Sequence, residues 1–333
     1  MSHKIDLKNQ PIRTDLAVEL IQTKTSKKVD NITITTISLT EQEAKKINKT
    51  KGNYITIEFE DITDSENAEK VKNVLTSELK KILSKQQTKN DVLGLVIGLG
   101  NKKSTPDSLG PLTISQVVVT NYLYLYDSLD DNYHRVCAIA PGVTGETGIE
   151  TSDMLKSIIN EIKPDFAIVI DALAASSIER VNKTIQMTDS GITPGSGVGN
   201  KRKEISQKTL GIPTIAIGVP TVVDAACIVN DTINYLYKHF AYQKSTINNP
   251  ASKLTANVNY LRLQKQFKIN KEEKEKILGM VGSLDEEETK KLIYEILNPI
   301  GYNLMVTPKE EDFIIEKLSK IISSSINECM HKN

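Results

Sequence analysis

Hydrophobic and polar positions follow two different patterns along this chain, and the change falls near residue 91. Before it, Ile32–Leu39 (ITITTISL) and Tyr54–Phe59 (YITIEF) alternate β-branched or aromatic residues with polar ones. A period of two predicts strands with one wet face. The stretch 64–86 places Val71, Val74, Leu75, Leu79, Ile82 and Leu83 on one side of an amphipathic helix. Residues 1–30 are polar and aperiodic, which predicts a loosely held leader.

From residue 91 the apolar residues come in blocks. Val92–Leu99 is a continuous run ended by Gly100-Asn101, the pattern of a strand buried on both faces. A helix is expected over 109–126, a strand over 135–140 and a helix over 151–162. A second buried strand, Phe166–Ile170, stops at Asp171. Strands at 183–188 and 213–218 and a helix at 222–239 complete the series. Strand, helix and strand with short links predict an α/β fold: a doubly wound, mostly parallel sheet flanked by helices. The strands at about 30–60 would be an N-terminal β-rich addition. Residues 241–258 read as a polar loop, and about 270–330 as a C-terminal helical part. There, Ser283…Glu286 and Thr307-Pro308-Lys309-Glu310 have capping-box spacing. Phe313, Ile314, Leu318, Ile321 and Ile322 then form a stripe expected to face the core.

Composition narrows the class. At 333 residues, the chain is long enough for about two domains and a sizeable core. Lys plus Arg equals Asp plus Glu at 42 each, which argues against a global grip on nucleic acid. Cys137, Cys227 and Cys329 are widely spaced, with no CxxC or Cys/His cluster, so neither a disulfide framework nor a structural zinc is expected. The polar start is not a secretory signal, and no apolar run approaches the ~18 residues of a membrane span. The expectation is a cytoplasmic chain with no membrane partner.

Chemistry in open α/β sheets collects at the carboxyl ends of strands. Two segments qualify: Gly98–Pro111, which contains Asp107, and Ile168–Ala175, which contains Asp171. Two carboxylates brought close share a proton, so one acid and one base coexist at a single pH. Such a pair suits water activation in amide hydrolysis. The alternative is that each Asp caps a helix. Gly98-Leu-Gly-Asn-Lys-Lys lacks the third glycine of a dinucleotide fingerprint. Pro194–Lys203 (PGSGVGNKRK) could cradle an anion or be a flexible loop. A cysteine or serine nucleophile has little support, because the cysteines lie in apolar elements and no GxSxG occurs. A metal on Asp107, Asp171 and His134 is conceivable but short of ligands.

These residues resemble, in order, the germination proteases of spore-forming bacteria. The matching strings are RTDLAVE (13–19), GLGN with TPDSLGP (98–111), APGVTGETGIET (140–151), VIDALAA (169–175), GIPTIAIGVPTVVDA (211–225) and NLMVTPKE (303–310). The resemblance implies an atypical aspartic-type endopeptidase with a hydrogenase-maturation-protease-like fold, and Asp107 and Asp171 as its catalytic pair. It implies no required cofactor or metal. It also implies a homotetrameric zymogen that degrades small acid-soluble spore proteins in the forespore and spore core. Self-cleavage would fall at Asp15–Leu16, making 1–15 a propeptide and 16–333 a single peptidase domain. Asn101 is a candidate for orienting water or substrate, and Lys201, Arg202 and Lys203 for pairing with the substrate's acidic residue. The alternative enzyme is a metal-dependent maturation peptidase of the hydrogenase-processing type.

Overall fold

A computed structural model describes residues 14–84, 92–126, 132–198, 202–246, 270–297 and 304–331. They fall into two compact units, one drawn from residues 12–223 and 307–333, the other from 224–306.

The larger unit is built on one mixed sheet. Its strands are β1 (Thr25–Val29), β2 (Ile32–Leu39), β3 (Gly52–Glu58), β4 (Leu93–Gly98), β5 (Arg135–Ile139), β6 (Phe166–Ala175), β7 (Thr184–Thr188) and β8 (Thr214–Asp224). Their spatial order is β1-β2-β3-β7-β8-β6-β4-β5. The block β8-β6-β4-β5 is parallel, and the strands from β1 to β7 add to it antiparallel. The β-rich N-terminal part is therefore an extension of the same sheet. β1 lies in the stretch read as aperiodic. All five of its residues are exposed, so no alternation marks it, and a tight turn with Asp30 at φ 53° joins it to β2.

The apolar runs alternate between two covered faces. Val96, Ile168, Ile170, Ile215 and Ile217 face one core, with the helix Ser65–Leu83 and the helix Glu311–Met330. Leu95, Ile97, Ala167 and Val169 face the other, with Leu155 and Ile159 of the helix Thr151–Ile162. Burial on both sides is why these strands read as continuous apolar blocks. Ile315, Leu318, Ile322 and Ile326 are fully buried on the last helix, each worth about 1.5–3 kcal/mol. Phe313, expected in that stripe, is 50% exposed, with Lys317 Nζ 5.0 Å from its ring centre.

Several boundaries differ from the sequence reading. The helix expected over 109–126 is two short ones, Leu109–Ile114 and Asn121–Leu125. Between them Val117, Val118 and Val119 disfavour helix, and Thr120 Oγ1 bonds to His134 O and Val136 N at the start of β5. Thr307 opens no helix. Its hydroxyl donates to Thr221 O at 3.0 Å, and helix begins at Glu311.

In the smaller unit, the helix Ala225–Thr246 runs into the segment read as a loop, and residues 247–258 lie outside the described residues. The helix Glu286–Leu297 is opened by a reciprocal Asp285–Glu288 box, two residues beyond the expected Ser283. Among the described residues, no helix is long and apolar enough to cross a membrane.

Candidate active site

The chain leaves β4 for β5 on one side of it and returns to β6 on the other, so the carboxyl ends of β4 and β6 flank a topological switch point. β4 stops at Gly98, which pairs with Ile170, and β6 runs on to Ala175. Asp171 is thus the first residue of β6 beyond the cover of β4. It pairs with Gly218 of β8, which pairs in turn with Gln186 of β7. Residues level with one another across a ladder point to the same face, so Asp171 and Gln186 flank Gly218 on one side of the sheet.

Three backbone contacts set the Asp107 loop against this point. A Cβ on Gly98 would lie 2.3 Å from Gly110 O, and one on Gly110 would lie 2.2 Å from Leu99 O. Only hydrogen at both positions lets the helix Leu109–Ile114 meet the end of β4. Gly100, at φ +112°, has no room for a Cβ either, since it would lie 2.0 Å from Asp107 O. The Asn101 N–H donates both to Asp107 O at 3.0 Å and to Asp107 Oδ2 at 2.9 Å. Thr221 Oγ1 of β8 donates to Pro106 O at 2.6 Å, tying the loop down from the other side.

The two carboxyls sit in unequal surroundings. Asp171 is 4% exposed, and burial, then the Asp107 charge, then the Asp15 charge, hold its proton affinity well above the usual carboxylate range. Asp107 is half-buried. Burial raises its pKa, and the Asn101 N–H pulls the other way. The Ala172 N–H donates to Asp171 Oδ1 at 3.0 Å. The arrangement can keep a proton on Asp171 while Asp107 is the readier of the two to ionise.

The leader is not loose at its end. Thr14, Asp15, Leu16, Ala17 and Val18 are all buried, Leu16 and Ala17 completely. Asp15 N donates to Ala174 O at 2.8 Å, and Ala174 N donates to Asp15 Oδ2 at 2.9 Å. Ser196 Oγ donates to Asp15 Oδ1, and Lys49 Nζ lies 3.8 Å from that oxygen. Gln186 clasps the bond between Asp15 and Leu16 from both sides: Nε2 donates to Asp15 O at 3.1 Å, and Oε1 accepts from Ala17 N at 2.8 Å. Glu19 Oε2 accepts from Ser176 N at 2.9 Å, and Arg180 Nε lies 3.3 Å from Glu19 Oε1. A polar sequence becomes ordered here because its own backbone and acids find partners along β6 and β7.

The other sequence candidates separate. Asn101 works through its backbone, and its side-chain oxygen accepts from Lys103 N at 2.8 Å inside its own loop. Arg202 faces Glu150 at 3.9 Å, and Lys203 Nζ pairs with Asp153 at 2.7 Å, so neither reaches the Asp15 carboxylate. Lys201 lies outside the described residues. His134 precedes β5 at the amino end of the parallel strands, where Leu93 pairs with Arg135, opposite the carboxyl ends. Among the described residues, no group of three His, Cys, Asp or Glu is placed to hold a metal. None of the three cysteines is in a disulfide, and burial raises the Cys137 thiol and pushes Cys329 to about 12.

Gln186 and Lys49 were not singled out in the sequence, whereas Ser196 lies in the Pro194–Lys203 loop read there as a possible anion cradle. Gln186 carried a signal of its own, a polar residue in the buried strand TIQMT.

A family model described as germination protease matches residues 2–333. A germination protease of Geobacillus sp. (strain WCH70) is 44% identical over 360 residues, spanning 100% of this chain and 97% of its own. One from Bacillus cytotoxicus is 45% identical over 354 residues, with 99% and 96% covered. Among solved structures, the [NiFe] hydrogenase maturation protease HycI from Thermococcus kodakarensis KOD1 aligns at 16% identity. That alignment covers 43% of this chain and 80% of the other, with a TM-score of 0.28.

Proposed function

Because this chain belongs to the germination protease family, we propose that it is an endopeptidase of spore germination that hydrolyses bonds following an acidic residue, using Asp107 and Asp171. Its substrates are small acid-soluble spore proteins, and its first substrate is itself, at Asp15–Leu16. The observation that carries this reading is the position of that bond. The chain on its acidic side pairs with Ala174, three residues beyond Asp171, and the Asp15 charge acts on the Asp171 carboxyl.

The chemistry follows from the unequal pair. Asp107, ionised, takes a proton from water as the water oxygen bonds to the carbonyl carbon of Asp15. Asp171, protonated, gives its proton to the carbonyl oxygen. Gln186 Nε2 already donates to that oxygen at 3.1 Å, and so helps hold the charge that gathers there. Collapse breaks the C–N bond. The Leu16 nitrogen receives the proton held by Asp107, and Asp171 recovers its own from the new hydroxyl. The products are a carboxyl on Asp15 and an amine on Leu16.

The test is an intact-mass time course of the full chain at mildly acidic pH, beside Asp107→Asn and Asp171→Asn. Loss of residues 1–15 from the unsubstituted chain alone is expected. Equal trimming of all three would mean another protease is at work and would remove both aspartates from the mechanism.

A further inference from the structure

A peptidase that requires an acid before the cut bond must hold that carboxylate in a fixed place. Of the basic residues at 201–203, the two described ones do not provide it, since Arg202 and Lys203 face Glu150 and Asp153. We propose that Lys49, Ser196 and the Ala174 amide form the pocket that recognises the acidic residue before the cleaved bond, with Asp15 as its present occupant. The proposal rests on the endopeptidase reading above and adds the residues that set its specificity.

The pocket is built rather than incidental. Both oxygens of the Asp15 carboxylate are engaged: Oδ2 by Ala174 N at 2.9 Å, Oδ1 by Ser196 Oγ and by Lys49 Nζ at 3.8 Å. Lys49 Nζ also donates to Thr14 O at 3.4 Å, so it touches the backbone just upstream of the acid. Its side chain is only 14% exposed. Burial lowers the Lys49 pKa, and the two carboxylates of the docked segment, Asp15 and Glu19, act against that. A buried ammonium is costly unless an anion meets it, which is the condition for selecting an acidic side chain over a neutral one.

Shape supports the same occupant. Gly197 lies so close that a Cβ there would stand 2.3 Å from Asp15 Oδ2, so the carboxylate is accommodated on that side only because residue 197 has no side chain. Beside Asp15 is a cavity of about 40 Å³ lined in part by Lys49, Thr50, Gln186, Thr193 and Ser196. That is room for about one water molecule, so the longer side chain of glutamate also fits.

The experiment is a double-mutant cycle on the full chain, read as the rate of self-cleavage by intact mass. Lys49→Met and Asp15→Asn are each expected to slow cleavage by about tenfold to a hundredfold, the value of one charge-assisted contact. Because both remove the same contact, the double variant is expected to be no more than about threefold slower than either single one. Lys49→Arg should recover part of the rate. Effects that multiply in the double variant would overturn the pocket. Should Lys49→Met fail to fold, Ser196→Ala completes the same cycle with Asp15→Asn and is read the same way. A wild-type chain that never trims overturns self-cleavage itself and the pocket's role with it, a result separate from lost coupling.

Discussion

Gln186 offers the sharpest test of whether the buried junction is held in its reactive geometry. The side chain is 6% exposed and makes two bonds to the segment, from Nε2 to Asp15 O at 3.1 Å and from Ala17 N to Oε1 at 2.8 Å. Gln186→Met keeps length and roughly keeps volume, so packing changes little. It leaves one buried carbonyl and one buried N–H without these partners, at about 1–3 kcal/mol each. The total, about 2–6 kcal/mol, weakens docking of the segment by about 30-fold to 10⁴-fold at 1.36 kcal/mol per decade. The loss falls on docking rather than on the sheet, because β7 holds its neighbours through backbone bonds. Hydrogen exchange by mass spectrometry of a peptide covering 14–20 would read the docking, and intact mass would read self-cleavage. Exchange is expected to accelerate, and cleavage to slow by a similar factor. Faster cleavage would show that the docked geometry restrains the reaction instead of serving it. Unchanged exchange would show that Gln186 is no clamp.

Asp171→Asn also has a stability signature. Burial, with the Asp107 and Asp15 charges, raises the Asp171 pKa in the folded state. The folded chain therefore keeps a proton that the unfolded chain releases above about pH 3.9, and stability falls as pH rises from there toward the folded pKa. The variant escapes that loss, so its melting temperature is expected to exceed wild type at pH 7 and to converge with it near pH 3. A lower value at pH 7 would contradict the assigned burial cost. Gly98→Ala drives a methyl into Gly110 O, where 2.3 Å is available. Overpacking of about 1–3 kcal/mol should lower the melting temperature by a few degrees and slow self-cleavage. An unchanged melting temperature would mean that the close contact is not needed.

The parallel half of the sheet was legible because Val92–Leu99 and Phe166–Ile170 are buried on both faces, and continuous apolar runs carry that information. The two aspartates were legible because each follows such a run. The acid pocket was legible only in part, through the Pro194–Lys203 loop read as a possible anion cradle. Lys49 lies in a polar link after residue 46, Ser196 in a glycine-rich loop, and Gln186 in a strand more than 130 residues from Lys49. Only the sheet order, with β3 beside β7 and β7 beside β8, brings these elements together. Residues 14–19, at the end of the leader, were misread for a related reason. Their order comes from partners on β6 and β7, and local periodicity says nothing about partners so distant in sequence. In the basic run at 201–203, Arg202 and Lys203 face Glu150 and Asp153, partners that charge along the sequence does not reveal.

The docked segment is covalently part of the chain it occupies, and tethering has its own arithmetic. A short link presents its end to a nearby site at an effective concentration of about millimolar. On the proposed reading, a free polypeptide would have to compete with that before it could reach Asp107 and Asp171, so tethering alone would slow the intact chain toward other proteins. The same attachment would make removal of the segment a first-order event, with a half-time that dilution does not lengthen. Each molecule would then carry its own clock, set by how firmly Ala174, Gln186 and Lys49 hold the segment before the cut.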